Sequence, residues 1–128
     1  MAIIKKFEAA GAVTANTFVK LDVSNQTETQ TSSTAVNTLG VQLNTTTTAG
    51  DAAYVCVEGE CLVTAADSID PGEGVRPSAS GTAMSADAST ETEVGIYYGE
   101  LVGGAYTTTA SGDLITIYIH SHKGYVRP

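Results

Sequence analysis

His120 and His122 stand two positions apart near the end of the chain. On a strand that spacing puts both imidazoles on one face, where they supply two ligands to a metal ion. Two ligands do not make a site, and further imidazoles would have to come from other copies around a trimer axis. Exposed strand-end histidine is the preferred reading. Asp67, Asp70 and Glu73 surround a Pro71-Gly72 turn. They lack the regular register of oxygen ligands that a calcium loop needs and read as solvated turn acids. Serine and threonine abound, but a nucleophilic serine needs a base within reach and an oxyanion donor. Both histidines lie together at the far end, and no nucleophile elbow is visible. No enzyme activity, metal or cofactor is expected.

The two cysteines, Cys56 and Cys61, are too few for the disulfide framework of a small secreted domain. They sit in GDAAYVCVEGECLV, the stretch around which the chain is organised, on either side of Gly59. In a tight hairpin cornered at Glu58-Gly59 the two sulfurs would face each other closely enough to bond. In a continuous strand kinked at Gly59 they fall on opposite faces unless a bulge shifts the parity. The second geometry, bent or bulged with free thiols, is the expectation. Ala53, Val55 and Val57 point one way there and Tyr54 and Cys56 the other. A strand apolar on both faces must be covered on both, by a second sheet and then by something else, such as another subunit.

The elements that hold these residues read as strands throughout. Residues 3–9 form a first short strand or arm, with Ile3 and Phe7 on one side and Lys6 and Glu8 on the other. Residues 17–23 alternate, Val19, Leu21 and Val23 against Phe18, Lys20 and Asp22, as a half-buried strand. Residues 24–38 are polar and read as an edge strand with a loop. Alternation returns at Leu39, Val41 and Leu43, and the last long strand, 113–122, buries Ile115, Ile117 and Ile119. Gly95 and Gly99 interrupt a strand over 93–101 and mark places where backbone approaches closely. Four short runs, Ala15-Asn16-Thr17, Ala49-Gly50-Asp51, Pro71-Gly72-Glu73 and Ser111-Gly112-Asp113, each place a residue tolerant of positive φ just before a strand. The fold class is all-β: a compact single-domain barrel or sandwich, β-tulip-like, mostly antiparallel, with little or no helix. Residues 1–10 form the N-terminal arm or first strand, 11–122 the β domain and 123–128 a C-terminal tail.

At 128 residues with net charge −8, one core suffices. Five of the six bases lie near the ends, at Lys5, Lys6, Lys20, Lys123 and Arg127. Between them, Arg76 alone faces thirteen acids, a surface that repels phosphate and argues against nucleic-acid binding. The start, MAIIKKFEAAG, has no apolar core of signal-peptide length, and no apolar run approaches membrane-spanning length. Synthesis in a cytoplasm and no membrane association are expected. Five tyrosines, Tyr97, Tyr98, Tyr106, Tyr118 and Tyr125, fall in the last third, as interface anchors or as ordinary half-buried residues at strand ends.

The runs AGAVTANTFVKL (10–21), LGVQLN (39–44) with AGDAAYVCVEGECLV (49–63), and SIDPGEGVRPSASG (68–81) resemble the capsid decoration, or cement, proteins of tailed bacteriophages. The likeness is to their small Gly/Ala/Thr-rich β-domain group; the final third matches in general character. The resemblance implies a homotrimer on the outer surface of the phage head, bound to the major capsid protein. It would bridge neighbouring capsomers at threefold and quasi-threefold positions after synthesis in the bacterial host cytoplasm. Charge and position make the termini the candidates for contact: Ile3, Ile4, Lys5, Lys6 and Phe7 at one end, Tyr125, Val126 and Arg127 at the other, with Tyr54 as a further candidate. Other readings are a trimeric β module of a phage tail or fibre, a barrel-sandwich carrier domain and a cell-surface adhesion module. The carrier needs a modifiable lysine where this chain has Glu58-Gly59-Glu60, and the missing leader weighs against the adhesin.

Overall fold

A computed structural model of the chain describes residues 2–30, 38–86, 92–102, 105–107, 109–119 and 125–126, with backbone alone at 92, 100–102, 105–107 and 125–126. The described residues form strands and no helix, as an all-β domain should. The first four strands are β1 (Ile3–Ala9), β2 (Thr17–Leu21), β3 (Gln26–Thr29) and β4 (Thr38–Gln42), followed by the long β5 (Ala52–Thr64). Then come β6 (Gly74–Pro77), β7 (Ala83–Ser85), β8 (Thr92–Glu93), β9 (Gly95–Tyr97) and β10 (Glu100–Val102). The last three are β11 (Ala105–Thr107), β12 (Leu114–Ile119) and β13 (Tyr125–Val126).

Five strands close into a barrel in the order β1-β3-β2-β4-β5, with β5 returning to β1. A second layer continues from β5 through β12, β9 and β6 to β7. β5 therefore belongs to both layers. Its residues up to Glu58 pair with β1 and β4, and those from Gly59 onward pair with β12. Pairing between strands is antiparallel except for β1 with β3. Two short pairs, β10 with β11 and β13 with β8, stand apart from the main sheet.

Small barrels are filled by side chains. Here Val13, Val19 and Val55, with Phe7, Leu39 and Val57 against them, fill the interior. Phe18 and Cys56 come from the alternate positions of β2 and β5, and Val41 stands opposite both, a bulge in the β2–β4 pairing having shifted its face from that of Leu39. They leave the barrel wall outward and meet Val63, Val75, Tyr97, Ile115, Ile117 and Ile119 of the second layer. The alternation read for β12 holds, since Ile115, Ile117 and Ile119 are all buried.

β2 departs from the half-buried expectation: Phe18 and Val19 are both fully buried, because this wall strand faces the barrel interior on one side and the second layer on the other. β3 departs from the edge-strand expectation, since it lies between β1 and β2. Thr27 on this strand and Gln30 just beyond it are buried. Thr27 donates to Gln42 Oε1 at 2.8 Å, Gln30 Nε2 donates to Thr38 Oγ1 at 2.9 Å, and Gln42 Nε2 donates to Thr46 Oγ1 at 3.2 Å. Hydrogen bonding makes such burial tolerable. Residues 82–93, small and polar in sequence, supply β7 and β8.

All four lead-in turns have the left-handed residue in place, at Asn16, Gly50, Gly72 and Gly112. Three also share a return contact from the acid that follows. Thr48 N donates to Asp51 Oδ2 at 3.0 Å, Asp70 N to Glu73 Oε1 at 2.6 Å and Ala110 N to Asp113 Oδ2 at 2.8 Å. Asp70 and Glu73 thus belong to turn geometry, with Ser85 Oγ donating to Glu73 Oε2 at 3.1 Å, and Asp67 is exposed. Gly40 and Gly95 mark close crossings. A Cβ on Gly40 would strike the Cys56 carbonyl oxygen, and one on Gly95 would lie 2.7 Å from the Tyr118 carbonyl oxygen.

Candidate docking surface

β1 carries the N-terminal candidates and is a wall strand. It pairs with β5 from Ile3 opposite Glu58 to Glu8 opposite Ala52. With β3 it pairs only at Glu8 and Ala9. Among the described residues, no strand pairs with the other edge of β1 between Ile3 and Phe7. The hydrogen-bond phase shows which groups lie on that edge. Leu43 N donates to Tyr54 O at 2.8 Å, so Tyr54 turns its main chain toward β4, and Ala53 and Val55 turn theirs toward Phe7 and Lys5. Alternation then directs the main-chain N–H and C=O groups of Ile4 and Lys6 to the unpaired edge.

Side chains of β1 alternate between two clefts. Ile3, Lys5 and Phe7 line a cleft of about 370 Å³ at the barrel mouth, with Leu39, Val57 and Glu58. Ala2 and Ile4 line a cleft of about 450 Å³ between the barrel wall and the second half of β5, with Asn16, Leu43, Glu60, Cys61 and Leu62. Ile3 is 46% exposed, Ile4 51% and Tyr54 45%. Lys5 and Lys6 are exposed as well, while Phe7 is half-buried. Tyr54 lies directly opposite Lys6 on the outer face.

Lys20 and Glu28 form a cross-strand ion pair at 3.6 Å, worth at most about 1 kcal/mol at a surface. Lys5 and Lys6 have no ion-pair partner among the described residues. They give an otherwise acidic molecule a basic, partly apolar strip. Lysine on a strand edge discourages indiscriminate edge-to-edge pairing, so this edge favours a partner bearing acids.

At the other end of the chain, Tyr125 and Val126 form β13 and pair with Glu93 and Thr92. Arg127, His120 and His122 lie outside the described residues. Of the tyrosines read as anchors, Tyr97 is buried, while Tyr98 and Tyr118 are exposed. Leu39, Leu43, Val57 and Leu62 join the surface although nothing local in the sequence marks them, because the topology alone brings them beside β1. Among the described residues no three His, Cys, Asp or Glu side chains gather as a metal site, and no helix is long and apolar enough to cross a membrane.

No protein-family model matches the sequence, and no curated protein matches it. Among solved structures, the chain is similar to the N base of the head fiber gp8.5 in bacteriophage phi29, with a TM-score of 0.66 at 18% identity. The match covers 97% of this chain and 98% of that one. At this identity the likeness is one of fold, and the chain shares, along nearly its whole length, the fold of a phage head-fiber base.

Proposed function

We propose that this chain is a structural protein of a bacteriophage head. In this reading it sits on the outer surface of the shell as a homotrimer, binds the major capsid protein, and cements neighbouring capsomers. The observation that carries the reading is the near end-to-end fold likeness to a head-fiber base. The β1 surface supports it with a strand edge and two lysines that are unpaired among the described residues, and with two flanking apolar clefts. An extended segment of a shell subunit would add to this edge by main-chain hydrogen bonds and set its side chains in the clefts. Three copies on one trimer would engage several subunits at once, so weak contacts combine through effective concentration. Virion assembly would follow synthesis in the bacterial host cytoplasm, with no contact to nucleic acid.

The same likeness favours a second reading, in which the domain is the base of a fibre and its role is anchorage rather than cementing. Both readings need the same docking surface and differ in whether the shell gains stability.

Because β1 closes the barrel against β5, its deletion would damage the fold, and surface substitutions are the cleaner test. The double variant Ile4→Asp, Lys6→Glu should keep the native circular dichroism spectrum and lose at least about tenfold in affinity for undecorated heads, the equivalent of about 1.4 kcal/mol. Co-sedimentation with heads measures it; unchanged occupancy would remove β1 from the contact.

A further inference from the structure

The two thiols lie at the one place where the barrel and the second layer share a strand. Gly59, with φ of 96°, sits between them. The bend there is sharp. Leu43 N donates to Tyr54 O, while Thr64 N donates at 2.9 Å to Asn16 O, and Asn16 N in turn donates to Gln42 O. Tyr54 and Thr64 therefore both lie beside the same end of β4, although ten residues of straight strand would separate them by roughly 33 Å. The fold-back carries Cys56 and Cys61 to the inside of the corner. Cys56 Sγ is 3.6 Å from Glu58 O and 4.0 Å from Glu60 O, and Cys61 Sγ is 3.9 Å from Gly59 O. Both sulfurs thus lie against main-chain carbonyls of the same three-residue corner, Glu58 to Glu60. Both cysteines are free and buried in one apolar cluster. Their access differs, since Cys61 lines the 450 Å³ cleft and Cys56 does not.

We propose that Cys56 and Cys61 are a redox-operated staple, closing by thiol–disulfide exchange into an intramolecular disulfide that fastens the two halves of β5 across Gly59. A small-molecule disulfide such as oxidised glutathione is the oxidant. The Cys61 thiolate, reached through the cleft, attacks one sulfur of that disulfide and expels a glutathione thiolate, leaving a mixed disulfide on Cys61. The Cys56 thiolate then attacks the Cys61 sulfur, expels the second glutathione thiolate and forms the Cys56–Cys61 bond. Two protein thiols lose two electrons and two protons, and one small disulfide becomes two small thiols.

The division of labour follows from the surroundings. Cys56 sits at the inside of the corner, beside the intended bond, and its position makes it the resolving thiol. The Cys61 thiol is pushed up by its contact with Cys56 and by burial, so the first step should accelerate with rising pH. The consequence is a domain whose bend in β5, shared by both layers, is held by packing and strand pairing while reduced and by an added covalent cross-link after exposure to an oxidising medium. Neither the head reading nor the fibre reading is needed for this.

The test incubates the folded full chain with oxidised glutathione, followed by acid quench, alkylation under denaturing conditions and intact mass. The wild type should lose two hydrogens, take up no alkyl group and carry no glutathione, and its thermal midpoint should rise and fall back on reduction. Cys56→Ser should stop at a stable glutathione adduct on Cys61, and Cys61→Ser should stay unreacted while folded. A wild-type chain that stays fully alkylatable, or that accumulates a glutathione adduct, would overturn the proposal. So would a disulfide that forms but lowers the thermal midpoint.

Discussion

Asp51 accepts backbone hydrogen bonds from Thr47 and Thr48, each at 3.0 Å. These two donors hold its carboxyl below the usual value of 3.8. A carboxylate with a depressed native pKa adds stability that is fully present above the unfolded value and is lost as pH falls through the native one. Asp51→Asn should therefore lower the thermal midpoint at neutral pH, and the gap to wild type should close below pH 3.8. A series of thermal melts from neutral pH downward checks both halves of that statement. The turn itself was legible in the sequence. Positive φ is a demand met by a single residue, and Asn16, Gly50, Gly72 and Gly112 each announce it locally. The carboxylate that returns to the turn was less visible, because an acid after a glycine looks like any solvated charge.

Among the elements, β2 and β5 join the layers, and their weight rests on side chains that leave the barrel wall outward. Phe18 is fully buried between the barrel wall and the second layer. Phe18→Ala should cost about 3–5 kcal/mol by urea unfolding, the range for removing a large buried aromatic side chain. Tyr118, exposed on the outer face of β12 opposite Glu60 and Ile96, should cost under about 1 kcal/mol when changed to alanine. Equal costs would contradict the two-layer account. Period-two alternation showed β12 plainly because one face is buried and the other open. It failed at β2, where both faces are covered, and at β3, where Thr27, like Gln30 just beyond the strand, is buried with hydrogen bonds rather than for apolar character. A polar strand inside a barrel has the composition of a loop until its partners are known. The parity of Cys56 and Cys61 depended likewise on the bend at Gly59, for which the sequence offered two geometries.

At the scale of the whole molecule, the charge map and the fold bear on the same surface. Most acids lie between the two basic ends, and the N-terminal lysines fall on the one stretch of β1 that lacks a second neighbour among the described residues. Position and charge in the sequence made Ile3, Ile4, Lys5, Lys6 and Phe7 candidates for contact, with Tyr54 added from the second apolar face of its strand. The clefts beside them could not be read there, since Leu39, Leu43, Val57 and Leu62 come from strands that only the barrel's closure brings together. The reading as a head protein joins that surface to a shared fold. Its most direct test is electron cryomicroscopy of undecorated heads incubated with the purified chain. The account predicts threefold density on the outer shell, with β1 against the capsid surface and contacts to more than one capsomer. Bare shells at saturating concentration, or density confined to the tail, would contradict it.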